Sequence, residues 1–348
     1  MARLRRADCS GPGMSRRRAG RGFTYSDEHG RRIDDPEVLA RIRELGIPPA
    51  WKDVWICPHP NGHLQATGTD AAGRKQYLYH PRWRARRDAE KFDDMVRFAR
   101  ALPALREHVA VDLAADRAVT RTRVLACAVR LLDRGFFRIG TEEYSVANES
   151  YGLATMRKEH VTVQDEAMVF DYPAKSGQRR VQEVVDPDVA DLVAALTRRR
   201  GGGPELLAYK QGGRWRDVRS PDINTYLKEA TGDDFSAKDF RTWNATVLAA
   251  VALAVSRPAQ GTKTSRKRAM TRAVQEVAHY LGNTAAVARA SYIDPRVFDA
   301  YRAGLVIRPE LQDVAPGELP IHHRAVEEAV LDLIDERESA PGVERVAA

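Results

Sequence analysis

The chain has no apolar run long enough to cross a bilayer. Its longest, ATVLAAVALAV at 245–255, falls short of the roughly 20 residues a membrane helix needs. Cysteine is scarce: Cys9, Cys57 and Cys127 are odd in number and widely scattered, so no disulfide framework is expected. No basic-then-apolar leader opens the sequence, and a cytoplasmic protein is expected. Three familiar signatures are missing: the Gly-x-x-x-x-Gly-Lys-Ser/Thr phosphate loop, Gly-x-Gly-x-x-Gly and His-Glu-x-x-His, which sets aside ATP-driven, dinucleotide-dependent and zinc-protease chemistry. Cys57, His59 and His63 flank a turn without a fourth partner, so no metal site is expected.

Charge of one sign is what the body of the chain does have. Residues 1–22 carry seven Arg against Asp8, and residues 305–348 carry four Arg against ten acids. The two ends cancel, so the formal +8 belongs to residues 23–304. A basic body points to a polyanionic partner. RWRARR (82–87) and KTSRKRAMTR (263–272) concentrate the charge on helical patterns and suggest phosphate-backbone contacts.

The 348 residues predict two domains in an α+β fold. Residues 1–22, rich in Arg, Gly and Ser, read as a disordered basic arm that could be deleted without loss of chemistry. Residues 23–103 read as a small antiparallel β domain with a linking helix. It has a short helix near 36–45, a hairpin turned at Asn61-Gly62, a strand at QYLYH and a long helix from about Trp83. Residues 104–304 read as a mainly helical domain interrupted once by three strands over 160–185. Helical spacing also runs through TEEYSVANESYGLATMR. Asp186 and Pro187 mark the restart of helices after the strands. Residues 305–348 read as an acidic tail with one amphipathic helix, and the adjacent His322 and His323 as solvated.

The chemistry rests on a set of cations and one phenol. Arg138 sits in GFFRIGTEEY, Lys175 in an AKSG hairpin turn, and Lys238 and Arg241 lie three apart in AKDFRTWNAT, hence on one helical face. Asn283 ends VAHYLGN, and Tyr292 follows in ARASYIDP. A free phenol is protonated at neutral pH, but two guanidiniums beside it favour the phenolate. The same guanidiniums can hold a phosphodiester while charge builds in the transition state. A lysine can then protonate the departing alkoxide.

GFFRIGTEEY, YPAKSGQRR, KDFRTWNAT, VAHYLGNTAAVARASYIDP and, upstream, ATGTDAAGRKQYLYHPRWR together resemble the type IB DNA topoisomerases, in their poxvirus-like bacterial branch. The resemblance runs from about residue 22 to about 304. It implies a C-shaped clamp of β domain and helical catalytic domain around double-stranded DNA, acting as a monomer with no cofactor or metal, in the cytoplasm on the nucleoid. It further implies that Tyr292 forms a 3′-phosphotyrosyl link, that Arg138 and Arg241 bind the scissile phosphate, and that Lys175 protonates the 5′ oxygen. Asn283 stands where many family members have histidine; it can donate a hydrogen bond but carries no charge. Gln76 and Tyr77, with Arg74 and Lys75 beside them, match the family segment that touches DNA, and Lys158 and Lys238 complete the expected contacts. Lys158 is the second candidate for the acid. A tyrosine recombinase and a non-catalytic DNA clamp remain the alternatives. The first usually carries histidine where Lys238 stands, and Tyr292→Phe would leave the second unaffected.

Overall fold

The computed structural model describes residues 3–115, 118–142, 145, 149–256, 262–308 and 322–346. The chain divides into two units, Met1–Phe92 and Asp93–Ala348.

The first unit is a five-stranded antiparallel sheet built from β1 (Met14–Ala19), β2 (Gly22–Ser26), β3 (Lys52–Ile56), β4 (Leu64–Thr69) and β5 (Lys75–Tyr79), in the order β2-β1-β3-β4-β5. Helix α1 (Pro36–Glu44) lies between β2 and β3 in sequence. Asp35 caps it by accepting from Glu37 N and Val38 N, and Pro36 occupies its first turn. Met14, Ile42, Val54, Ile56 and Ala66 form the core. The connection between β3 and β4 is longer than a two-residue hairpin. Gln65 holds it by donating to His59 O, Pro60 O and Gly62 O at 3.3, 3.1 and 2.7 Å.

The expectation of a disordered arm over residues 1–22 is corrected here. Strand β1 lies inside the sheet, paired with β2 on one side and β3 on the other. The reason is Arg16. Its guanidinium donates to Ile47 O, Pro48 O and Trp51 O at 3.1, 3.0 and 2.9 Å and lies 4.2 Å over the Phe23 ring. An arginine that satisfies three carbonyls is a structural fastener, although composition counts it as solvated charge.

Helix α2 (Pro81–Ala114) stays helical through Pro103. The division therefore falls at Phe92/Asp93, earlier than the expected 103/104. From Met95 onward its buried face, including Phe98, Leu102 and Leu105, belongs to the second unit, where Phe98 meets Phe235 and Phe240 edge to face.

In the second unit α3 (Arg121–Gly135) starts at a Thr120 cap. Strands β6 (Val161–Gln164), β7 (Ala167–Pro173) and β8 (Arg179–Val185) form the three-stranded antiparallel sheet the sequence predicts. Helix α4 (Pro187–Arg198) begins at Asp186, whose carboxylate accepts from Asp188 N at 3.1 Å. The helical spacing of TEEYSVANESYGLATMR falls partly outside the described residues; its described end forms a short 3-10 turn, Leu153–Thr155. An unexpected hairpin of β9 (Ala208–Gln211) and β10 (Arg214–Asp217), turned at Gly212-Gly213, interrupts the helices. Then come α5 (Ser220–Thr231), α6 (Ala237–Val255), α7 (Lys263–Leu281), α8 (Ala285–Ser291) and α9 (Pro295–Arg302). Helix α6 is buried on all sides from Phe240 to Ala254, as its nearly uninterrupted apolar run requires.

The acidic end is corrected as well, since its described parts build into the second unit. β11 (Leu305–Ile307) pairs with β12 (Val343–Arg345), and α10 (Arg324–Ile334) buries Val326, Ala329, Val330, Leu333 and Ile334. Glu327 reaches inward to accept from Arg106 Nη1 at 2.5 Å and Nη2 at 3.0 Å, and from Trp243 Nε1 at 2.9 Å. Asp133 holds the other edge of Arg106 at 2.8 and 3.0 Å. His322, expected in solvent, has both ring nitrogens buried.

Candidate active site

The expected catalytic residues come from five separate segments of the second unit. The first is the bend after α3. Phe136 takes a left-handed conformation, φ 52°, which turns the chain so that Arg138 follows in a loop. Two glycines fix that loop. Gly140 has φ 77°, and a Cβ there would sit 2.9 Å from Gly152 N. Leu153 N and Ala154 N donate to Arg138 O and Ile139 O at 2.8 and 2.7 Å across the same crossing. A glycine pair is the chemical condition for so close a backbone approach.

Lys175 begins the 3-10 turn Lys175–Gly177 joining β7 to β8. Ala174 N donates to Gln178 O at 2.7 Å to close the turn, and the lysine side chain is exposed. Arg241 lies in the first turns of α6, a helix capped by reciprocal bonding of Ser236 and Asp239. Only 5% of Arg241 is exposed.

Helix α7 ends at Gly282 in the left-handed conformation, φ 60°. Asn283 follows, its N–H bonded to Ala278 O at 3.0 Å. Thr284 then caps α8, and Tyr292 closes that helix by donating its N–H to Ala288 O at 3.0 Å. The corner after Tyr292 is anchored from α6: Thr246 Oγ1 accepts from Asp294 N at 3.1 Å and stands 3.3 Å from Tyr292 O, while its proton goes to Thr242 O at 2.9 Å. Sequence reading missed Thr246. The available signal was one hydroxyl inside the otherwise apolar run 245–255.

The side chains converge. Arg138 Nη2 donates to Asn283 Oδ1 and, at 3.2 Å, to Gly282 O. Arg241 donates to Phe136 O through Nη1 and to Leu281 O through Nη2 at 2.9 Å. Its guanidinium carbon stands 5.3 Å from the Tyr292 ring centroid, and its Nε is buried without a hydrogen-bond partner. Lys175, Arg138 and Arg241 line one small cleft, which also includes Arg180.

Electrostatics follow from this crowding. Burial pushes the Tyr292 phenol up, but the charges of Arg241 and Arg138 outweigh it. The net effect holds the phenol below its ordinary value. Burial and the Arg138 charge bring the Arg241 guanidinium down to about 10, with Tyr292 opposing them. It therefore stays charged at neutral pH. Such an arrangement can hold a phosphate oxygen and the Tyr292 phenol against one another.

The expected DNA contacts fall elsewhere. Lys238 is exposed at the start of α6, and Lys158 stands in a 3-10 turn, Lys158–His160; neither lines the cleft. Arg74, Lys75, Gln76 and Tyr77 lie on or beside β5 in the first unit. Asp70 organises two of them, accepting from Arg74 Nε at 2.9 Å and Gln76 Nε2 at 2.8 Å. Tyr77 is 45% exposed and stacks on Tyr79 with centroids 6.1 Å apart.

Comparison with known proteins agrees with this geometry. Residues 80–314 match the family described as "Eukaryotic DNA topoisomerase I, catalytic core", and residues 22–70 match "Bacterial DNA topoisomerase IB, N-terminal domain". The chain is 29% identical over 296 residues to DNA topoisomerase 1B of Acanthamoeba polyphaga mimivirus, covering 83% of this chain and 88% of that one. It is 28% identical over 161 residues to DNA topoisomerase 1 of Schizosaccharomyces pombe, covering 46% of this chain but 19% of that protein.

Proposed function

The chain belongs to the DNA topoisomerase I family, as a type IB enzyme, and from that premise we propose that it relaxes supercoiled duplex DNA through a tyrosyl intermediate. The observation that carries the reading is the Arg241 guanidinium 5.3 Å over the Tyr292 ring, with the Arg138–Asn283 pair beside it.

Tyr292 attacks the scissile phosphorus through its phenolic oxygen. A bond forms from that oxygen to phosphorus, and the bond from phosphorus to the 5′ oxygen breaks, leaving a 3′-phosphotyrosine. Lys175 gives its proton to the departing 5′ alkoxide and recovers it when the 5′-hydroxyl attacks in reverse. Arg138 and Arg241 hold the non-bridging oxygens as charge accumulates, and Asn283 adds a neutral donor. Removal of one such donor typically slows the step about 10²- to 10³-fold. One ester replaces another, so strand closure needs no ATP and this residue set calls on no metal. While the strand is open, torsion turns the free end, and its closeness to the phosphotyrosine favours return attack. One chain carries all five groups, which supports action as a monomer. The first unit would contact DNA through Arg74, Lys75, Gln76 and Tyr77, with Lys158 and Lys238 adding contacts from the second. Family membership supports a place on nucleoid DNA in the cytoplasm, and among the described residues no helix is long and apolar enough to cross a membrane.

The test is relaxation of negatively supercoiled plasmid in EDTA without ATP, beside Tyr292→Phe. Relaxation by the wild type alone is expected. A wild type that shifts the plasmid on a gel yet leaves it supercoiled would overturn the proposal.

A further inference from the structure

The last four carbonyls at the end of α7 are claimed one after another by arginines from outside the helix. Arg180 donates to His279 O at 2.7 Å and Tyr280 O at 2.5 Å. Arg241 takes Leu281 O and Arg138 takes Gly282 O. Carbonyls at a helix C-terminus lack intrahelical donors and carry partial negative charge, so they can hold three guanidiniums together in one cleft. Arg138 and Arg241 already have a place in the proposed chemistry. Arg180 does not.

Its position is specific. Arg180 lies at the start of β8, opposite Tyr172 on β7, five residues after Lys175. Its bonds to His279 O and Tyr280 O tie the Lys175 hairpin to the corner bearing Asn283. A second tie runs to α3: Gln182 donates through Nε2 to Gly135 O, and its Oε1 accepts from Arg180 Nη2 at 3.4 Å. Tyr151 N also donates to Pro173 O at 2.8 Å beside the turn, while Lys175 and Gly177 within it are exposed. Its flanking positions Pro173 and Arg179 form the last pair of the ladder.

We propose that Arg180 is a positioning residue that docks the Lys175 hairpin on the α7 C-terminus, and so places the general acid against the 5′ oxygen without itself touching the phosphate. This rests on the role of Lys175 given above. Displacement of a reacting group by about 1 Å can slow a step about 10²-fold.

The test uses single-turnover cleavage by the full chain on duplexes whose 5′-bridging atom is oxygen or sulfur, since a thiolate leaves without a proton. Arg180→Ala is expected to slow cleavage of the oxygen duplex by about 10²-fold, to recover most of the rate with sulfur, and to bind duplex as the wild type does. Arg180→Lys, which can still reach one carbonyl, is expected to fall between. Amide exchange at Ala174, whose N–H closes the turn, is expected to quicken in Arg180→Ala while α7 keeps its protection. Unchanged cleavage of the oxygen duplex, or unchanged exchange at Ala174, overturns the proposal. An equal defect on both duplexes while Lys175→Ala is rescued by sulfur also overturns it, since Arg180 would then act on the phosphate or the fold. Failure of sulfur to rescue Lys175→Ala refutes the acid assignment. In that case quicker exchange at Ala174 still sustains the docking, and unchanged exchange removes it.

Discussion

Replacing Glu327 by alanine tests whether the acidic end of the chain is part of the catalytic unit. Glu327 is 7% exposed and Trp243 fully buried. Alanine leaves Trp243 Nε1–H without its acceptor, a loss of about 1–3 kcal/mol. It also leaves Arg106, held from both sides, with Asp133 alone. Breaking a buried pair from one side costs about 3–5 kcal/mol in all, and a domain this large loses about 2–4 °C per kcal/mol. A fall in Tm on the order of 10 °C is therefore expected. Glutamine keeps an oxygen for Trp243 but removes the charge and faces Arg106 Nη1 with an NH2 group in place of Oε2, so Glu327→Gln should lose less than alanine does. Differential scanning calorimetry of the two variants beside the wild type decides it. A shift of under about 3 °C for alanine, or equal losses for both, would refute the reasoning. Because Trp243 stands two residues from Arg241 on α6, relaxation by Glu327→Ala should fail at a lower temperature than that of the wild type.

The Tyr292 phenol is held below its usual value by Arg241 and Arg138, so single-turnover cleavage should rise with pH and level off below pH 10. Arg138→Ala should move the inflection upward, and an unmoved inflection refutes the electrostatic account. Burial lowers the His322 imidazole to about 4. Between there and its unfolded value near 6.5 the unfolded chain binds the extra proton. Stability should accordingly fall as pH drops from about 6.5 towards 4, and His322→Gln should flatten that slope in urea unfolding at a series of pH values. An identical slope sinks the idea. Deleting residues 1–21 removes β1 and with it Arg16, so the first unit should lose cooperative unfolding. A truncated chain with unchanged Tm and binding would show that the sheet closes without β1.

Local chemistry made much of this legible beforehand. The Asp186-Pro187 cap, the AKSG turn and the RTWNAT helix each announce themselves within a few residues, and Lys175 and Arg241, two of the three expected residues that line the cleft, lie in such segments. What escaped reading depends on partners distant in sequence. Arg16 looks like solvated charge until the carbonyls of residues 47–51 are placed beside it. The β9–β10 hairpin, AYKQ and RWRD, lacks the apolar alternation that marks strands. Ten acids suggested a solvated end, yet one of them, Glu327, is the inward partner of Arg106. Arg180 has no local signature, since its meaning lies in carbonyls about a hundred residues further on.

The arginine ring on the end of α7 also bears on entropy. A long side chain surrenders up to about 2 kcal/mol of rotamer freedom when it is fixed. Arg138, Arg180 and Arg241 are already fixed on four backbone oxygens before any DNA arrives. Their ordering is thus charged to folding: a phosphate held by Arg138 and Arg241 would meet donors that have little left to lose, beside a hairpin that Arg180 already holds. Loosening the end of α7 should weaken capture of that phosphate even with every arginine in place.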